Sequence, residues 1–187
     1  MSKKKIKFIQ GQMVEYEILS LADYYSDILR EPTKEVGFDD PNVDVPYMAI
    51  SLMETLNETN GLGLSANQVG LPYRMLAVNM GDKIWCMINP KVLSRSDTRT
   101  QYKEGCLSYP GMYLQIGRSE SVVVEFQAIG GETVVQEFNG LTATVVQHEL
   151  DHLDGILFTD LISPIKLDMA KKKVKTNLKK MKRMTVS

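Results

Sequence analysis

The chain carries two histidines, His148 and His152, and both lie in the single run His148-Glu149-Leu150-Asp151-His152. On a helix, residues four apart stand about 400° round the axis, so the two imidazoles share one face. They can converge on one cation, with Glu149 beside them as a base. H-E-x-x-H alone is not specific, because two histidines spaced by chance also satisfy it. The residues that follow narrow the chemistry. In the longer pattern H-E-x-x-H-x-x-G-x-x-H, Gly155 takes the glycine position, but Phe158 stands where a third histidine belongs, and a benzene ring binds no metal. No glutamate follows His152, only Asp154, Asp160 and Asp168, so upstream residues are the natural source of a third ligand.

Two cysteines are available. Cys86 lies in the apolar run 83–89, which reads as a buried strand, where a free cysteine serves as a small core hydrophobe. Cys106 lies in Glu104-Gly105-Cys106-Leu107-Ser108-Tyr109-Pro110-Gly111, whose glycines and proline predict irregular backbone able to present a thiolate and neighbouring N–H groups. Cys106 with the two imidazoles makes three protein ligands and leaves a position for water, the layout of a catalytic metal site rather than a structural one. A third segment, 60–70, concentrates small residues in Asn60-Gly61-Leu62-Gly63-Leu64-Ser65-Ala66-Asn67-Gln68-Val69-Gly70. It reads either as a helix cap and turn or as a place where a substrate backbone lies against the protein main chain. It is no phosphate loop, because the lysine and hydroxyl that close such a loop are absent.

These three segments resemble the motifs of the peptide deformylase family, approximately G-x-G-L-A-A-x-Q, E-G-C-L-S and Q-H-E-x-D-H. They occur here at 61–68, 104–108 and 147–152, in the family's order, and the resemblance extends over roughly 18–165. One departure is Ser65, where the family has alanine, and an added hydroxyl needs a partner if buried. The resemblance implies a metal-dependent hydrolase that removes the N-formyl group from the initiator methionine of nascent polypeptides and releases formate. It implies one divalent cation on Cys106, His148 and His152, with Fe(II) as the first choice and Zn(II), Ni(II) or Co(II) as alternatives. Glu149 is then the proton carrier. The Gln68 amide and the Leu107 backbone N–H would stabilise charge developing on the formyl oxygen, one such donor contributing about 3 kcal/mol. By match of position, Leu62, Leu141, Thr144 and Val145 would line the methionine pocket, and Leu62, Gly63 and Gly105 would pair with the peptide backbone. Thr144 is more polar than that wall requires, and a bond back to its own preceding turn is the simpler reading. Glu104 and Arg118 are expected to pair near the thiolate and hold its loop.

The elements that position these residues follow from pattern. A helix is predicted over 44–60, with Asp44 as cap, Pro46 early, and an apolar stripe of Met48, Leu52, Met53 and Leu56. Strands are predicted over 73–79 and 84–89, and a second pair over 121–129 and 133–138 around Gly130-Gly131. Gly140 precedes a helix over 141–153 ended by Gly155, on which Leu141, Val145, His148 and His152 share a stripe, so the histidine edge continues into an apolar wall. The fold expectation is α+β: antiparallel strands around a central metal-binding helix, with one helix before the glycine-rich motif and a basic helix at the C-terminus. With 187 residues, 43% of them hydrophobic, the chain suits one catalytic domain over 1–187. No apolar run is long enough to span a bilayer, and Met1-Ser2-Lys3-Lys4-Lys5 lacks the hydrophobic stretch of a secretory signal. Two cysteines in unlike contexts give no disulfide framework, which points to a reducing cytoplasm, and a monomer is expected.

The net charge of −1 conceals two poles, since 165–187 carries +8 and the remainder −9. Ser163-Pro164 is a reasonable start for a helix at about 165–184, with Leu167, Ala170, Val174, Leu178 and Met181 at helical spacing. One reading is a solvated helix packed by its stripe. The other is docking on the ribosome near the exit tunnel, as some deformylases do with their terminal helix. Two rival functions stay open: a metallopeptidase cleaving internal bonds, and a non-enzymatic basic binding module.

Overall fold

The computed structural model describes residues 4–9 and 12–184, with side chains for 4–8 and 12–177. In chain order the elements are β1 (Lys5–Ile9), β2 (Gln12–Tyr16), α1 (Val45–Glu58), β3 (Gly63–Ser65), β4 (Met75–Asn79), β5 (Ile84–Arg95), β6 (Arg99–Cys106), β7 (Tyr109–Ser119), β8 (Ser121–Gln127), β9 (Thr133–Asn139), α2 (Gly140–Leu153) and α3 (Pro164–Met184). The class is α+β, and the sheets pair antiparallel throughout.

Helix α1 begins as its sequence dictates. The Asp44 carboxylate accepts a hydrogen bond from the Tyr47 N–H at 2.9 Å, and Pro46 occupies the first turn, where its missing donor costs nothing. The helix ends before Asn60, which adopts a left-handed φ of 51°.

A five-stranded sheet in the order β3-β4-β5-β8-β9 separates two apolar layers. Alternation along β4 assigns Met75 and Ala77 to one face and Leu76 and Val78 to the other, and all four are completely buried. The first face packs on Ala49, Leu52 and Leu56 of α1. The second packs on Ala143, Val146, Leu150 and Leu153 of α2. Each such leucine or valine withdrawn from water stabilises the fold by roughly 1.5–3 kcal/mol, so the sheet fixes α2 firmly along one side.

The opposite side of α2 meets the β6–β7 hairpin. Gln147 clasps one residue of β7: its Nε2 donates to the Ser119 carbonyl at 2.9 Å and its Oε1 accepts from the Ser119 N–H at 3.2 Å. The helix is therefore held between sheet and hairpin. Helix α3 packs Leu167, Ala170 and Val174 against Met112, Leu114 and Ile116 of β7 and against Phe158. The expected stripe partners Leu178 and Met181 lie outside the described side chains. Among the described residues no helix is long and apolar enough to cross a membrane.

Several expectations need correction. The segment 104–111 is not irregular: Glu104, Gly105 and Cys106 end β6, Tyr109 begins β7, and only Leu107 and Ser108 form the turn. Glycine and proline suggested a loop, but a register shift between Gly105 and Cys106 absorbs the irregularity within the ladder. Strand β5 runs past the predicted Asn89 to Arg95, because Asn89 takes a φ of 50° and the pairing with β8 resumes beyond it. The predicted 73–79 strand starts at Met75, while Tyr73 pairs with Lys34 instead. The β1–β2 hairpin was not predicted.

Candidate metal centre

Three segments supply the centre: the end of β6, the 3-10 turn Ala66–Val69 that follows β3, and α2. Cys106 Sγ and one ring nitrogen from each of His148 and His152 lie within 4.8 Å of one another, although 42 residues separate Cys106 from His148. Sγ stands 3.3 Å from His152 Nε2. The imidazoles cross at 77° with centroids 4.9 Å apart, as the four-residue offset on α2 requires. A thiolate and two imidazoles converging from separate elements suit one divalent cation with room for a further ligand. Phe158 sets its ring edge-on to His148 at 5.5 Å, so the residue at the absent third-histidine position buttresses a ligand.

The tautomer of His148 is fixed from behind. Its Nδ1 meets Glu104 Oε2 at 2.8 Å, which leaves Nε2 for the centre. Glu104 also accepts two hydrogen bonds from Arg118, from Nε at 2.7 Å and from Nη2 at 3.0 Å. Arg118 Nη1 donates to Asp151 at 2.5 Å. The expected Glu104–Arg118 pair is thus present, and Asp151, which the sequence reading did not assign, is its third member. Burial works to raise the Glu104 pKa, but the bonds from His148 and Arg118 outweigh it and hold the carboxyl below its ordinary range.

The remaining groups describe a site rich in negative charge. Burial works to lower the His148 pKa, yet hydrogen bonds with Cys106 and Glu104 and the charge of Glu149 raise it to about 10. Burial, followed by the positive charge of His148, lowers His152 well below the usual histidine range. Glu149 is buried and rises to about 7, against the pull of His148 and of Ser65.

A cavity of about 380 Å³ opens beside Cys106 and His148, and Leu62, Gly63, Gly105, Leu141, Thr144 and Val145 all line it. Cys106, Leu107, His148 and Glu149 belong to the same wall, whereas Gln68, His152 and Arg118 stand outside it. Leu62 and Leu141 are half exposed and form an apolar rim. The Thr144 hydroxyl is buried without a hydrogen-bond partner, so the bond back to its own turn expected from the sequence does not form. Gly63 has a reason besides substrate approach: a Cβ there would stand 2.5 Å from Glu149 Oε1 and 2.7 Å from Val145 Cγ1. Only glycine lets β3 run this close to α2.

Gln68 reaches the centre from its turn. Its Nε2 lies 3.4 Å from Cys106 Sγ and 3.2 Å from Ser108 Oγ, and its Oε1 accepts from the Ser65 N–H and hydroxyl, each at 2.9 Å. Asn67 Nδ2 donates to the His152 carbonyl at 2.6 Å and ties the same turn to the end of α2. Ser108, Asn67 and Asp151 were legible only as members of the motifs, since no pattern of charge or hydropathy marks them.

A thiolate and bis-imidazole centre with an adjacent buried carboxylate, at the side of an apolar cavity in an α+β fold, defines a metal-dependent hydrolase. Residues 18–168 match the polypeptide deformylase family. The peptide deformylase of Bartonella tribocorum is 39% identical over 167 residues, covering 86% of this chain and 93% of the relative. That of Helicobacter pylori is 39% identical over 174 residues, covering 89% and 98%. Among solved structures, a peptide deformylase from Legionella pneumophila superposes with a TM-score of 0.78 at 30% identity, covering 90% of this chain and 98% of its own. A class I type b enzyme from Acinetobacter baumannii bound to Met-Ala-Ser gives 0.71 at 35% identity, covering 78% and 98%. The chain belongs to the peptide deformylase family.

Removing the central cation of the supporting network tests its weight. Arg118→Leu leaves Glu104 and Asp151 without their partner and should destabilise the protein by about 3 kcal/mol in denaturant unfolding. It should also weaken metal binding roughly 10- to 100-fold in chelator competition. Unchanged stability and affinity would make the pairing incidental.

Proposed function

We propose that this chain hydrolyses the formyl group from N-formylmethionyl nascent polypeptides as a single catalytic domain, with Cys106, His148 and His152 holding the required cation. The observation that carries the reading is the convergence of those three ligand atoms beside Glu149 at a cavity with an apolar rim. The Met-Ala-Ser bound to the Acinetobacter relative supports the substrate class, since it is what remains when formyl-Met-Ala-Ser loses its formyl group.

A cation bound there would supply Lewis acidity, lowering the pKa of water and polarising a carbonyl. Glu149 carries the proton. A carboxyl raised to about 7 by burial accepts a proton from the attacking water near neutral pH and can return it to the departing amine. The oxygen of water bonds to the formyl carbon, the carbon–nitrogen bond breaks, and formate and a free amino terminus result. Gln68 Nε2 and the Leu107 N–H serve as donors to the formyl oxygen as negative charge develops on it. Leu62, Leu141, Thr144 and Val145 receive the methionine side chain, while Leu62, Gly63 and Gly105 offer backbone to the peptide. Glu104 and Arg118 hold the His148 ring and the end of β6 in place.

For the metal we infer Fe(II), by resemblance to the family, since a mixed thiolate and imidazole set also accepts Zn(II), Ni(II) and Co(II). The exposed lysines of α3 support docking of its basic end on the ribosome, where nascent chains emerge. The same reading has the protein work as a cytoplasmic monomer.

The primary test is a formate-release assay on formyl-Met-Ala-Ser with metal restored to stripped protein. Turnover is expected, and Glu149→Ala should lower it by roughly 100-fold or more while metal content stays the same. Peptide fragments without formate would replace this reading with a metallopeptidase. Anaerobic purification should yield iron at one atom per chain and higher activity than an aerobic preparation. Full activity in protein loaded with zinc alone would remove iron. Full-length protein should co-sediment with ribosomes in a salt-sensitive manner and a truncation ending at Ser163 should not; equal binding by both would discard docking.

A further inference from the structure

Ser65 is the motif position at which this chain departs from the family's alanine, and its added hydroxyl is completely buried. We infer that Ser65 is a positioning residue that locks the side-chain amide of Gln68 with its N–H groups turned toward the metal centre. The inference rests on the deformylase reading of Gln68 as a donor to the formyl oxygen.

The lock follows from what each atom can donate. A backbone N–H can only donate, so the atom of Gln68 that faces the Ser65 N–H at 2.9 Å must be the oxygen, Oε1. The Ser65 hydroxyl gives the same oxygen a second bond at 2.9 Å, and the two fill the acceptor capacity of Oε1. Nε2 is thereby directed to the other side, where it meets Cys106 Sγ and Ser108 Oγ. The last torsion of a glutamine is broad and nearly two-fold, so nothing within the side chain itself distinguishes this orientation from its flipped form. With alanine at 65 the oxygen would keep one donor, the backbone N–H, and the longer contacts of Nε2 with Cys106 and Ser108 would have to hold the other end. Gln68 is 1% exposed, so no water can readily replace a lost bond, and each bond in such a setting counts for more than at a surface. The short turn supports the geometry, because Ser65 is its N-cap and Gln68 its third residue, a capping box closed through the glutamine oxygen.

A donor aimed before the reaction acts on charge that develops later, so its alignment should enter kcat and leave KM nearly unchanged. For S65A we expect kcat on formyl-Met-Ala-Ser to fall about 5-fold, the weight of one buried hydrogen bond, with KM within about 2-fold. The family's own alanine at this position means the variant should fold. Ser65 also hydrogen-bonds Glu149, so in a Q68A background the same change should keep only the part of the loss that acts through Glu149 and should cost clearly less in kcat than it does with Gln68 present. As a readout independent of turnover, the Gln68 side-chain amide should give two sharp, slowly exchanging proton signals in ¹⁵N-labelled wild-type protein loaded with diamagnetic Zn(II), and broadened, faster-exchanging ones in S65A loaded the same way. Equal losses in kcat with and without Gln68, or an unchanged kcat with unchanged amide signals, would show that Ser65 only fills space and would overturn the inference. Absence of formate release by the metal-loaded wild type would instead sink the functional reading, and the amide signals would still report whether the lock exists.

Discussion

A carboxylate buried at position 104 would cost several kcal/mol if left alone, and the centre is organised around how that cost is met. Arg118 gives Glu104 two hydrogen bonds from within its own hairpin, and His148 gives it a third from α2. The second bond set makes the arrangement functional. By engaging Nδ1, Glu104 decides which nitrogen of His148 faces Cys106, and it joins the hairpin that carries the thiolate to the helix that carries the imidazoles. Arg118 extends the same join through Asp151, one residue before His152. The single arginine is shared between two carboxylates, so the side of the cluster nearest Cys106 and Glu149 remains electron-rich. Hydrogen bonds with Cys106 and Glu104 and the charge of Glu149 favour positive charge at His148, the same preference that suits the spot to a divalent cation.

Helix α2 can serve this purpose because its two faces answer to different neighbours. The apolar face, Ala143, Val146, Leu150 and Leu153, is seated on a sheet whose β4 strand is buried on both sides. The polar face, Gln147, His148, Asp151 and His152, is addressed by backbone and side chains of β6 and β7. Ligands mounted on an element fixed from both directions keep their spacing without help from the ion, the condition under which a metal site is preorganised. Gly63 adds the third wall, since the missing side chain allows β3 to approach Glu149 more closely than any other residue would.

Much of this was legible beforehand, and the reasons differ by residue. The His148 and His152 pairing follows from helical periodicity alone, whereas Cys106 needed both the lack of a third histidine and a setting of glycines and proline that set it apart from Cys86. Helix α1 was readable to within two residues because Asp44 and Pro46 punctuate it. The β6–β7 hairpin was misread because Gly105, Pro110 and Gly111 signal a break, whereas the ladder tolerates them through a shifted register near the turn. Asn89 misled in the opposite way, ending a predicted strand that in fact continues beyond its left-handed kink. Asp151, Ser108 and Asn67 carry their roles only through partners distant in sequence. No local periodicity encodes such partners. The Thr144 hydroxyl, expected to bond to its own helix, stays unpaired for a reason the structure does not supply.

The ligands come from segments far apart in the chain, and the last of them, His152, lies close to the final packed layer. The full ligand set therefore exists only when the β6–β7 hairpin has closed on α2, since the hairpin brings Cys106 and the helix brings both imidazoles. Metal affinity and the docking of hairpin on helix are thereby linked, so that a cation bound by all three residues would also stabilise that contact.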